Sequence, residues 1–145
     1  MAVPQSETVL REDALNYTAS PRSVSLARRR AARLVTEWGL AGLADRTALV
    51  VSELSTNALL HGTLPGRLFR VRLALIASAV RVEVSDTRGE RLPRVRTAAE
   101  DEASGRGLLL VGNLANRWGI MPRNPGKTVW AELDIVEGTP LWQSR

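Results

Sequence analysis

The first half of the chain places apolar residues at helical spacing. Ser20 and Pro21 are typical of a helix N-cap and a first helical position, and Gly39 is typical of a helix end. Between them runs an apolar stripe made of Val24, Ala27, Ala31, Leu34, Val35 and Trp38. A second stripe predicts a helix from about Leu43 to His61 that stops at Gly62. The pattern therefore predicts two amphipathic helices in succession.

The second half of the chain alternates between apolar and polar residues, as half-buried strands do. Strands are predicted over four segments, which are residues 68–75, 80–84, 117–121 and 128–135. A short link favours an antiparallel hairpin of the first two, and Gly126 marks a turn between the last two. Residues 108–114 predict the opening of a third helix, and residues 9–17 predict one short strand. This order indicates an α+β fold, a two-layer α/β sandwich with helices on one face of a mostly antiparallel sheet.

The length of 145 residues fits one domain, whose expected extent is residues 20–135. Residues 1–19 are expected to form an N-terminal segment with one strand at most, and residues 136–145 a C-terminal tail. Residues 87–104 are rich in Arg, Pro and acidic residues and lack apolar periodicity. Such a stretch inside a compact domain is usually functional or disordered, so we interpret it as a lid-like loop.

The composition excludes several kinds of site. Apolar residues make up 44% of the chain and charged residues 24%, as in globular proteins. Cysteine is absent, which excludes disulfides, a thiol nucleophile and thiolate metal sites, and the single histidine excludes a multi-histidine zinc centre. No apolar stretch approaches the roughly 20 residues that span a bilayer, and the N-terminus lacks a secretory signal pattern. We therefore expect a soluble, cytoplasmic protein that does not enter a membrane.

The formal net charge of +5 raises the question of a nucleic-acid partner. Of the 20 basic residues all but Lys127 are Arg, and they are scattered through nearly every segment. One Phe and one Tyr are too few aromatic residues for a single-strand binder, so direct nucleic-acid binding is disfavoured. Five Arg residues flank the first apolar stripe and form either a solvated face or a partner-docking surface: Arg22, Arg28, Arg29, Arg30 and Arg33.

Two polar side chains of the second predicted helix are candidates for chemistry. Glu53 and Asn57 stand four residues apart, which places both on one face of the helix, one turn apart. A carboxylate and a carboxamide stacked in this way can orient a nucleophile and hold a hydrated hard cation. Taken alone, the same pair is also compatible with an ordinary helix surface.

Asp86 is a further candidate, because it lies where a predicted strand gives way to a loop. A buried carboxylate there can accept a hydrogen bond from an exocyclic amine such as that of adenine. Gly89 would let the backbone approach a ligand closely. Taken alone, the two residues are equally compatible with an ordinary turn.

A glycine pair precedes the third predicted helix. Gly105 and Gly107 can expose backbone N–H groups to a phosphate at the positive end of that helix. Arg106 between them points either at the phosphate or at solvent. The segment lacks the Lys-Ser/Thr of a Walker loop, and a flexible hinge before the helix explains it as well.

These patterns occur together in the order of a known family. The chain resembles the ATPase superfamily of gyrase, the ninety-kilodalton heat-shock chaperone, sensor histidine kinases and mismatch-repair ATPases. Within it the chain is most similar to the small bacterial anti-sigma-factor serine kinases. Residues 50–62, Val-Val-Ser-Glu-Leu-Ser-Thr-Asn-Ala-Leu-Leu-His-Gly, resemble their N box, residues 104–111 their second glycine box and residues 126–133 their last strand.

The resemblance implies a left-handed βαβ sandwich that binds Mg-ATP between a lid and the sheet. It implies that Asn57 is the Mg²⁺ ligand and Glu53 the general base. Asp86 would bind the adenine amino group, helped by Thr128 through a water molecule. Gly105 and Gly107 would bracket the phosphates, and Gly89 and Arg106 are further candidates for contacts to the nucleotide.

One position departs from the family pattern. The first glycine box of the family is usually Asp-x-Gly-x-Gly, whereas this chain has Arg88 where the first glycine is expected. Adenine recognition through Asp86 is compatible with the change. The flexibility of the lid hinge, and with it the affinity for the nucleotide, depends on Arg88.

The resemblance implies an ATP-dependent serine/threonine protein kinase that acts as an anti-sigma factor. It would bind a sigma factor, phosphorylate a serine of an anti-anti-sigma partner, and form a homodimer. Three alternatives stay open, which are a non-catalytic partner-binding module with or without ATP, a detached histidine-kinase catalytic domain, and a nucleic-acid binder. Residues 1–42 offer one helix and no histidine, which disfavours the histidine-kinase alternative.

Overall fold

The described part of the chain consists of five strands and the helices that cover one face of their sheet. The structure is a computed structural model, and it describes residues 8–62, 67–86, 110–123 and 126–136. The elements are β1 (Val9–Thr18), α1 (Pro21–Glu37), a 3₁₀ turn (Ala41–Leu43), α2 (Ala44–Asn57), a π-helical segment (Ala58–Gly62), β2 (Leu68–Ile76), β3 (Ala79–Asp86), β4 (Arg117–Pro122) and β5 (Lys127–Asp134). Residues 110–114 are also helical. None of the described helices is long and apolar enough to cross a membrane.

The strands form one sheet in the order β1-β2-β3-β5-β4, and each neighbouring pair is antiparallel. β3 and β4 are both antiparallel to β5, which lies between them, so they run parallel to each other. The chain passes from β3 to β4 through the helical residues 110–114, and Val111 is fully buried in the core. These elements therefore form a βαβ crossover around β5. The α+β class, with helices on one face of an antiparallel sheet, is confirmed.

The ends of α1 lie where the sequence predicts them. Ser20 is the N-cap, its Oγ accepts a hydrogen bond from the Ser23 amide at 3.3 Å, and Pro21 opens the helix. Beyond the last turn, Gly39 has a φ of 88°, a left-handed conformation that favours glycine. Local residue chemistry therefore explains where this helix begins and ends.

The C-terminal end of α2 differs from the sequence prediction. One continuous helix is predicted as far as His61, but the regular helix ends at Asn57 and Ala58–Gly62 form a π-helical turn. The apolar residues continue through this turn, so their pattern cannot distinguish the wider hydrogen bonding from a regular helix. π-Helical turns are frequent at functional sites, and this one directly follows Asn57.

α2 lies against the centre of the sheet. Its buried residues Val50, Val51 and Leu54 share one core cluster with the strand residues Phe69, Val71, Leu73, Val82, Val84, Val129, Ala131 and Leu133. Fully burying a Val or Leu side chain stabilises the fold by about 1.5–3 kcal/mol. The position of α2 over β3 and β5 is therefore strongly determined.

The opposite face of the sheet carries a chain of ion pairs. It crosses all five strands through Glu12, Arg72, Glu83, Arg81, Glu132, Arg117 and Asp134, in that order. Glu132 is buried and accepts hydrogen bonds from Arg81 at 2.7 Å and from Arg117 at 3.0 Å. The Arg81 guanidinium also lies over the Trp130 ring, 4.5 Å from its centroid. These contacts connect the strands on the face that the helices leave uncovered.

One bidentate ion pair connects α1 to the edge strand β1. Arg30 donates from Nε and Nη2 to the two carboxylate oxygens of Asp13, at 2.9 and 2.7 Å. Paired hydrogen bonds of this kind fix orientation as well as adding energy. The Arg30 guanidinium lowers the pKa of Asp13 below its ordinary value, chiefly through the hydrogen bonds.

We expect Asp13→Asn to lower the free energy of unfolding at neutral pH by about 1 kcal/mol, because the pair is partly exposed. The pKa of Asp13 is lower in the folded than in the unfolded state. Its stabilisation is therefore present above an unfolded pKa of about 3.9 and is lost as the pH falls through the folded value. Urea unfolding of both proteins at pH 7, 4 and 2 checks this. A gap between the two proteins that stays constant down to pH 2 would contradict it.

Candidate functional site

Asp86 ends the row of β3 side chains that faces the helices. Strand side chains alternate between the two faces, and the buried residues Val80, Val82 and Val84 precede Asp86 at every second position. Asp86 itself is only 5% exposed. A charged group buried to this extent needs polar partners, so the groups around the carboxylate determine what it can bind.

One partner of Asp86 is Lys127, directly across the strand pair. β3 and β5 are in register so that Asp86 lies opposite Lys127, the first residue of β5. The Lys127 Nζ is 2.8 Å from Asp86 Oδ2, and the Lys127 side chain is 22% exposed. This end of the sheet therefore presents a hydrogen-bond acceptor and a donor side by side, on the side of the helices.

Thr128 lies on the other face of this strand pair, and its expected assistance to Asp86 through a water molecule stays a prediction. Thr128 pairs in register with Ser85, and their hydroxyl oxygens are 2.7 Å apart. Because adjacent strand residues point to opposite faces, Thr128 and Ser85 point away from the helices. Arg123 Nη1 donates to the Thr128 hydroxyl from that same side at 3.2 Å. The structure brings Asp86 together with Lys127, a residue that sequence reasoning missed.

A signal for Lys127 exists in the alternation of β5. The helix-facing residues of this strand are Val129, Ala131 and Leu133, and counting back by two positions reaches Lys127 rather than Thr128. The register against β3 is a tertiary property. The alternation could therefore place Lys127 on the correct face, but it could not place it opposite Asp86.

Glu53 and Asn57 lie on one side of α2, one turn apart, and both are half-buried. Among the residues that the structure describes, neither side chain has a hydrogen-bond or ion-pair partner. Partly buried polar groups usually find such partners. A carboxylate and a carboxamide in this condition are available to a ligand or to water.

The end of α2 that carries Asn57 lies next to β3. The π-helical segment that follows Asn57 contacts β3, and Ala58 in this segment belongs to the same core cluster as Val84. Val84 is two residues before Asp86 on the same face of the strand. The fold therefore brings the Asn57 end of the helix and the Asp86 end of the strand to one region.

The remaining predicted site residues lie outside the described residues. They are Gly89, Gly105, Arg106 and Gly107, together with the departing position Arg88. The side chain of His61 also lies outside them. Their contacts to the nucleotide stay predictions.

The described residues include no cluster of three or more His, Cys, Asp or Glu side chains that could hold a metal ion. Mg²⁺ does not require one, since it keeps several waters and binds to one or two protein oxygens together with substrate phosphates. The amide oxygen of Asn57 is a hard oxygen donor without a partner in the described part of the chain. A single protein oxygen of this kind fits Mg²⁺ that is shared with a phosphate.

Comparison with known proteins bears on this arrangement. Residues 17–133 match the family model described as the histidine kinase-like ATPase domain. The matched range includes Glu53, Asn57, Asp86 and Lys127. A search of curated proteins found no match.

Proposed function

The chain belongs to the histidine kinase-like ATPase domain family, which matches most of its length, and we propose that it is an ATP-dependent serine/threonine protein kinase. Family membership supports ATP binding. The proposal goes beyond family membership in two respects. They are the specificity for serine and the role as an anti-sigma factor that phosphorylates an anti-anti-sigma partner. They rest on the resemblance of residues 50–62, 104–111 and 126–133 to the anti-sigma-factor serine kinases.

The observation that carries the proposal is the condition of Glu53 and Asn57. Both are half-buried, lack side-chain partners in the described residues, and stand at the helix end that packs beside the strand of Asp86. A pair with a purely structural role is usually hydrogen-bonded to neighbouring protein groups. A general base and a phosphate-linked cation ligand need this kind of free, oriented oxygen.

In the proposed reaction, Asp86 accepts a hydrogen bond from the adenine amino group and fixes the base. Glu53 accepts the proton of the partner's serine hydroxyl while the serine oxygen forms a bond to the γ-phosphorus. The bond from that phosphorus to the β–γ bridging oxygen breaks, and ADP leaves with the bonding electrons. When bound through Asn57, Mg²⁺ supplies neutralisation of phosphate charge.

The proposed consequence is a change of partner. A phosphoserine carries a charge of about −2 and additional bulk, which weakens the complex with the phosphorylated anti-anti-sigma protein. The kinase, acting as a homodimer, is then free to bind its sigma factor. Four Arg residues of α1 stay exposed and are available for such a protein contact: Arg22, Arg28, Arg29 and Arg33.

The test is transfer of label from γ-labelled ATP to a panel of purified anti-anti-sigma-type proteins. Each protein is paired with a variant in which its candidate serine is replaced by alanine. We expect one panel member to be labelled, and its Ser→Ala variant to stay unlabelled. Label on no panel member, although ATP binds, would reduce the proposal to an ATP-binding module.

We expect Asn57→Ala to remove the effect of Mg²⁺ on ATP affinity. The variant lacks the amide oxygen that would hold the ion, so the stronger binding in Mg²⁺, about tenfold or more, should disappear. Calorimetric titration with ATP, with and without Mg²⁺, measures this. Asn16→Ala, on the exposed outer face of β1, is the matched control and should keep the Mg²⁺ effect. An undiminished Mg²⁺ effect in Asn57→Ala would show that the ion is held elsewhere.

One observation favours a second candidate function. The Asp86 carboxylate that should accept the adenine amine already accepts a hydrogen bond from Lys127. Lys127 competes with the adenine amine for this carboxylate, which weakens nucleotide binding. Weak binding suits a non-catalytic module that controls transcription through its partners. ATP binding without transfer to any partner would favour this candidate.

A further inference from the structure

Lys127 has no role in the proposed phosphotransfer, although it lies at the end of the sheet where Asp86 is proposed to bind the base. Its Nζ is 2.8 Å from Asp86 Oδ2 and its side chain is mostly buried. The register places it opposite Asp86 on the same face of the sheet, where the proposed function has a nucleotide base meet the carboxylate. A bound base would therefore contact an ammonium donor as well as a carboxylate acceptor.

Adenine and guanine present different hydrogen-bonding groups to such a pair. The Watson–Crick edge of adenine offers an amine donor beside a ring-nitrogen acceptor. Guanine offers the O6 acceptor beside two donors, N1–H and the exocyclic amine. A carboxylate alone can accept from either base, but it leaves the guanine O6 unpaired next to a negative charge, which is costly in a buried site.

The ammonium group removes this penalty. Lys127 can donate to guanine O6 while Asp86 accepts from N1–H and from the exocyclic amine. With adenine, Lys127 can donate to the ring nitrogen while Asp86 accepts from the amine. The pair therefore satisfies both bases. Without Lys127 each base would leave one acceptor unpaired, and the loss would be larger for guanine because its carbonyl O6 is a stronger acceptor than the ring nitrogen of adenine.

We propose that Lys127 is a base-specificity residue, through which the nucleotide site at Asp86 admits guanine nucleotides as well as adenine nucleotides. This inference rests on the proposed nucleotide-binding function. It concerns the base, and it is independent of whether Glu53 transfers the phosphoryl group.

The test compares the affinities of ATP and GTP by calorimetry for the full chain and three variants. In the unmodified protein we expect GTP to bind within about tenfold of ATP. Lys127→Met should lower GTP affinity relative to ATP affinity by about tenfold or more, the scale of a lost charged hydrogen bond. Lys127→Arg keeps a cationic donor and should retain most of the GTP binding.

Arg70→Met is the matched control, because it removes the same charge at the neighbouring register position on the opposite face of the sheet. Arg70 lies opposite Ser85 and is exposed, so the ratio of the two affinities should not change. Thermal unfolding of each variant shows whether the fold is intact. If Lys127→Met does not fold, the comparison of unmodified protein with Lys127→Arg and the protection experiment decide the question.

The protection experiment uses the fact that Lys127 is the only lysine of the chain. Acetylation at this residue is measured by mass spectrometry, which separates it from the N-terminal amine. Both ATP and GTP should slow the acetylation of Lys127.

Three outcomes would overturn the inference. They are ATP binding with GTP more than about 100-fold weaker, an unchanged affinity ratio in folded Lys127→Met, and bound nucleotides that leave Lys127 unprotected. In each of them ATP still binds, so the proposed function survives. Absence of ATP binding to the unmodified protein would overturn the proposed function together with this inference.

Discussion

Replacing Glu53 with Gln is expected to slow phosphotransfer severely while ATP is still bound. The amide keeps the size of the side chain and its ability to accept a hydrogen bond, but it cannot take the proton of the serine hydroxyl. A general base contributes about 10²- to 10⁴-fold to a rate, and the loss should lie in that range. The rate is measured as single-turnover transfer of label from ATP to the panel protein that the unmodified kinase labels. Calorimetry measures the retained ATP affinity.

Glu37→Gln is the matched control for this experiment. Glu37 is exposed at the end of α1 and pairs with Arg33 one turn earlier, so its replacement removes a helix carboxylate away from the site. Its transfer rate should equal that of the unmodified protein. Undiminished transfer by Glu53→Gln would remove Glu53 as the base, although it would leave the nucleotide site untouched.

Replacing Asp86 with Ala should weaken ATP binding by about 100-fold. The change removes the proposed acceptor for the adenine amine, and a hydrogen bond to a charged group is worth about 1.5–3 kcal/mol. It also leaves the Lys127 ammonium without its carboxylate partner in a mostly buried position, which repels an approaching donor. Calorimetric titration with Mg-ATP measures the loss.

Two further variants show whether the loss is specific to the site. Asp134→Ala removes a strand-end carboxylate at the other end of β5, where it pairs with Arg117 on the outer face, and it should bind ATP normally. Asp86→Leu keeps the approximate size of the side chain but removes every acceptor, and it should bind ATP weakly. Asp86→Leu with full ATP affinity would show that the adenine base is held elsewhere.

The elements with strong local signals could be predicted from the sequence. Ser20 and Gly39 bound α1 because a capping hydroxyl and a left-handed glycine act within one helical turn. The alternating segments became β2, β3, β4 and β5. In β2, β3 and β5 one face of the strand is buried, whereas β4 lies at the edge of the sheet and stays largely exposed. The one-turn spacing of Glu53 and Asn57 follows from helix geometry alone.

Features that depend on contacts between distant segments could not be predicted. The pairing of Asp86 with Lys127 requires the register of two strands that are far apart in the chain. The ion pair of Arg72 with Glu12 joins residues 60 positions apart. The change from α-helix to π-helix after Asn57 leaves the apolar pattern unaltered, so hydrophobic spacing carries no sign of it.

The most direct test of the account is calorimetric titration of the unmodified protein with ATP, with and without Mg²⁺. The central claim is a nucleotide site between the Asn57 end of α2 and the Asp86 end of β3. It requires saturable binding that is stronger in Mg²⁺. No detectable binding at millimolar ATP in either condition would contradict the claim, and it would leave a fold of the ATPase family that acts only by binding partners.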